Sequence, residues 1–562
     1  MKVGIISINM YSKGLNFACP LHTYAFQQFL LQNNIDATVI DYKPIYYDNF
    51  NLKYPADYYK ELYNKTQNTI PETEEAVKKK DAKLKHYSTK MHAWESMRAE
   101  RALRYDKLQN FINDKYLKTD FCYDSDYLEV KDPGFDCYIC ATDVLWKNQP
   151  DYGYDRGFFL GSTCMEQKWK IAYSGSRGVY GTVKEEFFRY LEDFDAISVR
   201  EKSLQEYIEE NSPLQATRVL DPVLLHSPEF YENILVKPSE EHYILLYYVM
   251  EKANDTIKHA VAYAKKHNLK IIEITDHPIP NGKLSKYDGI DYTFRYAIGI
   301  EEWIGYIKYA DCIFTNSFHG CCLSILFEKN FYVGIRKGDK VPNLLHLFGL
   351  ESRMLLPQQD RRLRTRVKNK LVRYAEKYFP EFAERRNAID YAPVRKTLHE
   401  MQTFSADFIL STLHEFENTE RPYKDYTAYK KTLSYRILYN SKFKNMPFTW
   451  TYDEQSGIVR HLTSGSYEYQ PTALLCLNDG TTQLTKNEFI LEGYHFIGWN
   501  IRLRIDNRYF WYTETGALVE KADYDQTKDG PCYLFKDQEN LPFFNVNRIQ
   551  TVVAEAIWEK NI

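Results

Sequence analysis

One pattern limits this chain more than any other: an apolar strand, a helix and a second apolar strand open the sequence, and the same triplet restarts near residue 243. Residues 3–8 form the first strand, 24–32 the helix and 37–41 the second strand, which is the unit from which parallel sheets are built. Residues 243–249, 257–267 and 270–275 repeat it. Strand character at 135–140, 170–173 and 195–199 extends the first set, and at 311–315 and 331–335 the second. Two α/β domains follow from this repetition. In open α/β sheets ligands sit at the carboxyl edge of the strands, where helix starts present free N–H groups that favour anions.

The segments around these two sets differ in character. Residues 42–128 are polar, charged and helical, with amphipathic spacing over 94–112, and read as a helical insertion whose charges are a solvated face. Residues 361–417 are helical again, 417–424 read as a linker, and 425–562 turn to short aromatic strands with Gly and Asn-Asp-Gly turns. A chain of 562 residues exceeds what one core supports. The expected domains are 1–232 with an insertion at about 42–128, 233–360, a helical tail and linker at 361–424, and a small β-rich module at 425–562.

Several classes of partner drop out. A net charge of −3 from many charges of both signs gives no reason to expect nucleic acid or an acidic membrane. No stretch approaches the length of a membrane span, and the amino terminus lacks a signal-peptide pattern, so a cytoplasmic location is expected. Ten cysteines in so long a chain read as reduced thiols. Cys137 and Cys140 form a C-x-x-C, but in a strand residues three apart face opposite ways. No metal-ligand spacing appears, and the loop at 9–22 lacks G-x-G-x-x-G, so no metal and no cofactor is expected.

The candidate chemistry lies at strand ends. Asn316, Ser317, Phe318 and His319 stand between the strand at 311–315 and a helix start, which aims His319 at an anion site; a histidine there also serves as a helix cap or a core hydrogen-bond partner. Arg200 follows the strand at 195–199, where its fork suits a carboxylate or phosphate or a neighbouring acidic side chain. Ser174-Gly175-Ser176-Arg177-Gly178 suits a close backbone approach or a tight turn. Arg336, Lys337 and Lys340 form a basic cluster past the strand at 331–335.

Taken in order, four stretches resemble the polysaccharide pyruvyl transferase family. Asn16-Phe17-Ala18-Cys19-Pro20-Leu21-His22-Thr23-Tyr24-Ala25-Phe26-Gln27 is similar to its N-Y-G-x-x-L-Q-x-Y-A-L-Q, and Ala141-Thr142-Asp143-Val144-Leu145-Trp146 to its G-S-D-Q-x-W. Ser198-Val199-Arg200-Glu201 resembles S-V-R-[DE], and Thr315-Asn316-Ser317-Phe318-His319-Gly320 resembles T-[DN]-S-F-H-G. Ala18, His22, Ala141, Thr142 and Val144 depart from these patterns, all in the first domain, and so bear on the acceptor more than on the donor. Glu492-Gly493-Tyr494-His495-Phe496-Ile497-Gly498-Trp499, with Ala554-Glu555-Ala556-Ile557-Trp558, more weakly resembles β-grasp-like repeats of bacterial surface proteins; those aromatics suit a core better than a sugar platform.

The resemblance implies an α/β fold of two Rossmann-like domains in a GT-B-like arrangement, here followed by a small C-terminal all-β module. It implies phosphoenolpyruvate as donor of a pyruvyl group to a sugar of a surface polysaccharide or its lipid-linked precursor, forming a ketal. His319 takes the acid/base role in that picture. Arg200, Ser317, Phe318, Gly320 and Lys340 face the donor, with Arg336 and Lys337 competing with Lys340, and Asn16 and Asp143 face the acceptor. The implied partners are phosphoenolpyruvate and a saccharide or lipid-linked saccharide, without nucleic acid, and peripheral association with membrane-bound assembly enzymes is compatible with them. Two other classes remain open at this point: a GT-B glycosyltransferase using a nucleotide sugar, and a non-catalytic saccharide-binding protein on the same fold.

Overall fold

The computed structural model describes residues 1–562 apart from 72, 150–151, 179–185, 250–253, 279–288, 335–337, 356–387, 441–451, 454–457, 460–469, 472–474, 488, 490 and 562. Contacts divide the chain into two compact units: Met1–Cys122 with Phe135–Leu160 and Trp169–Glu420, and Tyr123–Gly134 with Gly161–Lys168 and Arg421–Ile562.

The first unit holds two sheets. The strands of one are β1 (Lys2–Ile6), β2 (Asp36–Tyr42), β3 (Lys118–Tyr123), β4 (Cys137–Asp143), β5 (Trp169–Gly175), β6 (Ala196–Val199) and β7 (Thr217–Arg218), ordered β3-β2-β1-β4-β5-β6-β7. The other contains β8 (Tyr243–Tyr248), β9 (Lys270–Thr275), β10 (Tyr292–Phe294), β11 (Cys312–Thr315), β12 (Phe331–Gly334) and β13 (Met354–Leu355), ordered β10-β9-β8-β11-β12-β13. Both are Rossmann-like orders, in which the direction of winding reverses beside the first strand. Pairing is parallel throughout the second sheet and from β2 to β7 across the first. Strands covered on both faces read as near-continuous apolar runs, and β8, Tyr-Ile-Leu-Leu-Tyr-Tyr, is buried at every position. Cys137 and Cys140 are buried in β4, and burial pushes both thiols up.

Helix α1 (Ala18–Gln32) crosses from β1 to β2. The expected insertion appears as α2 (Pro55–Gln67), α3 (Glu74–Glu95) and α4 (Arg98–Lys115), and it ends in β3, which the sequence pattern does not foretell. The Lys-Thr-Asp-Phe-Cys-Tyr of β3 is too polar to stand out, as suits a strand at a sheet edge. Further helices are α5 (Lys202–Asn211), α6 (Asn254–His267), α7 (Ile300–Tyr309), α8 (Phe318–Leu326) and α9 (Lys340–Leu347).

Of the expected helical tail, residues 361–387 lie outside the described residues; the remainder is α10 (Tyr391–Asn418), which bridges both α/β domains. Tyr391 donates to the carbonyl of Lys329 at 2.6 Å in the second, and Gln402 to that of Leu224 at 2.8 Å in the first. Trp169 stacks on Phe416 with centroids 3.9 Å apart.

The second unit centres on a mixed sheet of β14 (Ser434–Asn440), β15 (Tyr494–Ile505), β16 (Arg508–Tyr512), β17 (Leu518–Glu520) and β18 (Thr551–Lys560). β14 pairs parallel with β18, and β18, β15, β16 and β17 continue antiparallel. Trp499 is 1 % exposed and sits in the module's core, where half-buried Phe496 meets it and Trp558 meets Phe496 in turn. Two stretches that precede the module by hundreds of residues belong to this unit. Arg508 pairs with Asp124 at 2.6 Å, Lys430 with Glu166 at 2.7 Å, and Asn547 donates its N–H to Glu129 at 3.1 Å.

Candidate active site

In sheets of this order the ligand crevice opens where winding reverses, between the carboxyl ends of β1 and β4 and of β8 and β11. The two crevices face one another across a cleft, and a cavity of about 280 Å³ lies between them. Its wall includes Asn16 from the loop after β1, Asp143 from the end of β4, Ser317, Phe318 and His319 after β11, and Lys340 at the start of α9.

The second domain's wall is built locally. The Asn316 side chain accepts from the Val249 N–H at 2.9 Å and donates to its carbonyl at 3.3 Å, tying the ends of β8 and β11 together. Ser317 caps α8, its hydroxyl accepting from the Gly320 N–H at 3.3 Å. That N–H, expected in an anion cradle, is thus spent on the cap, and Gly320 does not reach the cavity wall. A Cβ at Gly320 would meet Thr315 Oγ1 at 2.8 Å and the Tyr247 ring at 3.0 Å, so glycine is what lets α8 start this close to the sheet. His319 therefore sits in the first turn of α8, buried, with Nε2 3.3 Å from Asp221 Oδ2.

The first domain's wall is assembled from distant pieces around Arg200. Its guanidinium donates to Asp221 at 2.7 Å, to Asp143 at 2.7 Å and to Glu201 at 3.2 Å, and it lies 4.0 Å over the Phe318 ring. Lys340 Nζ reaches the same Asp143 oxygen at 2.8 Å. Lys340, Asp143, Arg200, Asp221 and His319 form one continuous chain of charge across the cleft. Arg200 is 5 % exposed and is not on the cavity wall; its fork is occupied by carboxylates. Arg336 and Lys337 lie outside the described residues.

Burial opposes ionisation in this network, and the partners overcome it. Half-buried Asp143 is held well below the usual carboxylate range by Lys340 and Arg200, which outweigh the cost of its burial. Buried Asp221 is likewise lowered by His319 and Arg200, while three carboxylates raise Arg200 despite its burial. Lys340 is lowered, burial outweighing the pull of Asp143. Asp143 has φ +71°, a left-handed conformation that costs a non-glycine residue about 1 kcal/mol or more and persists where the surroundings over-determine it.

Some residues of the site carry weaker signals in the sequence. Asp221, in Val219-Leu220-Asp221-Pro222, reads as the close of a domain, yet its Oδ1 caps the Val223 N–H at 3.1 Å while Oδ2 faces His319. A carboxylate one residue before a proline at a strand end is the available clue. His22, visible only as a departure from the family pattern, stacks on His319 with centroids 5.6 Å apart. It is fully buried, and burial together with His319 pushes its imidazole down to about 3. Arg177, inside the Gly-Ser stretch, and Lys147 line the cavity as well.

The insertion also reaches the site. Arg101 and Arg104 of α4 are fully buried. Arg104 donates to the Leu15 carbonyl at 2.9 Å and to the Thr275 carbonyl of the second domain at 2.8 Å. Arg101 donates to the Lys13 carbonyl and to the Tyr296 hydroxyl, each at 3.0 Å. Together they brace the loop that carries Asn16 against the facing domain. Asn16 itself accepts from the N–H of Ala18, the first residue of α1, at 3.0 Å.

Among the described residues, Cys19, His22 and Asp143 bring possible metal-ligand atoms within 4.8 Å of one another. Asp143 already carries two cationic partners on one oxygen, and burial pushes the Cys19 thiol up, so a further cation would meet repulsion and a protonated sulfur. No described helix is long and apolar enough to cross a membrane.

Among solved structures the chain is similar to UDP-N-acetylglucosamine 2-epimerase from Rickettsia bellii, at 10% identity over 74% of this chain and 98% of that one, with a TM-score of 0.34. The enzyme of that name from Neisseria meningitidis bound to UDP-GlcNAc is 10% identical over 74% and 100%, with a TM-score of 0.37. CalG4, the calicheamicin glycosyltransferase, is 10% identical over 75% and 100%, with a TM-score of 0.34. Comparison with curated proteins gives no match. The family profile of polysaccharide pyruvyl transferase matches residues 21–334, more than half of the chain, a span that includes Asp143, Arg200, Asp221 and His319 but not Asn16 or Lys340. This protein, whose two Rossmann-like parallel sheets are followed by a separate mixed sheet, belongs to the polysaccharide pyruvyl transferase family, a family of transferases.

Proposed function

We propose that the chain transfers the pyruvyl group of phosphoenolpyruvate to a saccharide of a surface polysaccharide or its lipid-linked precursor, forming a cyclic ketal without a metal or cofactor. The observation that carries this reading is the His319 imidazole, backed by Asp221 and set in the wall of a cavity that also presents Lys147, Arg177 and Lys340. The donor brings a carboxylate and a phosphate, and those cations match it in sign. Lys340 takes the donor by exchanging an Asp143 oxygen for a donor oxygen, while Arg200 keeps Asp143 and Asp221 in place.

Protonated His319 gives its proton to the methylene carbon of the enol, whose π electrons form the new C–H bond and leave oxocarbenium character on the neighbouring carbon. A sugar hydroxyl attacks that carbon and loses its proton to the freed imidazole. The C–O bond to phosphate breaks with its electrons going to the leaving phosphate, and a second hydroxyl of the same sugar adds to the same carbon to close the ketal, its proton passing to the departing inorganic phosphate. Asp221 orients the ring and stabilises its charged form. Asn16 and Asp143, on the first domain's side, face the acceptor. A donor drawn from central metabolism places the reaction in the cytoplasm.

The test is phosphate release by the full chain from phosphoenolpyruvate, with a panel of saccharide acceptors. Release that depends on the acceptor supports the assignment. Release of nucleoside diphosphate from a nucleotide sugar instead would replace it with glycosyl transfer, and inactivity with every donor despite saccharide binding would make it a binding protein.

A further inference from the structure

A pair of lysines on the first domain is not used by the transfer steps. β1 and β4 are neighbours in their sheet, and the crevice where winding reverses opens between their carboxyl ends. The loop after each strand carries one lysine: Lys13 after β1, three residues ahead of Asn16, and Lys147 after β4, four residues past Asp143. Both are exposed. Lys147 lines the cavity, and Lys13 lies near enough for the two charges to repel. Burial of part of the side chain, then the charge of Lys147, lowers Lys13.

The fold holds Lys13 in this position. Its carbonyl accepts from fully buried Arg101 at 3.0 Å, and the Leu15 carbonyl accepts from fully buried Arg104 at 2.9 Å. Its ammonium lies 5.1 Å from the centre of the Phe50 ring and 5.7 Å from that of Tyr58, an aromatic seat that suits a cation. Among the described residues neither lysine is paired with a carboxylate. The carboxylates nearby are engaged elsewhere. Asp143 holds Lys340 and Arg200, while Asp276, packed against Gly14, lies 3.4 Å from His277 and acts on Arg104.

Like charges held side by side raise the free energy of the empty crevice, and an anion placed between them lowers it. Arg177 and Lys340 equal in number the donor's two anionic groups, which leaves the lysine pair over. A cavity of about 280 Å³ is small beside the roughly 300–1,000 Å³ of sites that enclose a drug-sized ligand, so an acceptor larger than one sugar extends past the rim. We propose that Lys13 and Lys147 form a subsite for an anionic substituent of the acceptor, a phosphoryl group or a sugar carboxylate, so that the saccharide modified here is itself charged. This subsite rests on the transfer reading for its side of the cleft, and its occupancy is measurable without turnover.

The experiment is calorimetric titration of the full chain with a panel of hexoses, each offered as its methyl glycoside, its glycosyl 1-diphosphate and its uronate. One anionic form is expected to bind about tenfold more tightly than the methyl glycoside, with the preference fading toward about 0.5 M salt. Which form gains tells phosphoryl from carboxylate. Lys13→Gln and Lys147→Gln should each cost about tenfold on that form and much less on the methyl glycoside. Thermal melts check that both variants fold, and the salt-dependent preference of the unaltered chain stands if either does not. No preference for an anionic form, a preference kept by both variants, or an equal loss of phosphoenolpyruvate affinity in Lys13→Gln would each overturn the subsite. A lysine-dependent preference without phosphate release from phosphoenolpyruvate would uphold the subsite and remove the transfer reading instead.

Discussion

The two walls of the cleft hold their chemistry in different ways. On the second domain, six consecutive residues from Thr315 to Gly320 end a strand, cap a helix and set His319 in place. On the first, residues 143, 200 and 221 end or follow three separate strands and are fixed by ion pairs centred on one guanidinium, while Asn16 sits on a loop braced from the insertion. A locally encoded wall loses one function per substitution. An assembled wall fails as a network, because each buried charge depends on the others for its own compensation.

Five outcomes would sharpen or break this contrast. The largest is for His319→Ala, which should keep the fold and lose about a hundred- to ten-thousandfold in turnover; near-normal transfer would remove the imidazole from the chemistry. Next, Arg200→Met should cost about 3–5 kcal/mol of stability in denaturant titration, since three buried carboxylates lose their shared cation. A cost within that of an ordinary surface substitution would show that the first wall is no network. Asp221→Asn retains the shape and removes the charge facing His319, so turnover should drop about a hundredfold or more with substrate affinity little changed.

The fourth effect, in pH, is smaller. An unfolded imidazole binds a proton near about 6.5. Folded His22 is held down to about 3 and His226 to about 4, both chiefly by burial. Between those values the unfolded chain holds more protons, so acidification destabilises the fold, by about 1.4 kcal/mol per pH unit for each imidazole. His22→Gln should roughly halve that slope between about pH 6.5 and 4; an unchanged slope would mean that His22 is charged in the fold. Lowered Asp143 and Asp221 add their own loss of stability below about pH 4. Smallest of all, a chelator should leave transfer unaltered, and loss of activity restored by a divalent metal would turn the cluster of Cys19, His22 and Asp143 into a metal site.

Legibility followed the same division. The strand-helix alternation announced both parallel sheets, because strands buried on both faces must be apolar throughout. His319 was visible because its strand, cap and helix lie within a few residues. Arg200 stood out as a cation at a strand end, but the sequence left open whether its fork faced a ligand or carboxylates, and folding surrounds it with carboxylates. Asp221 passed as a domain boundary, Arg101 and Arg104 as part of a solvated face, and β3 as helix. Each of these depends on a partner far away along the chain, and periodicity within a window carries no trace of such a partner.

Sequence by itself determined the α/β class, the repetition of the Rossmann-like unit, the family and the imidazole at the start of α8, since each rests on short-range pattern and local capping. Tertiary structure alone decided which carboxylate faces that imidazole, which cations reach the cavity, and that Tyr123–Gly134 and Gly161–Lys168 join the C-terminal module. The physical reason is that a buried charge is stable only beside a compensating one, and the chain finds that partner by folding, not by adjacency.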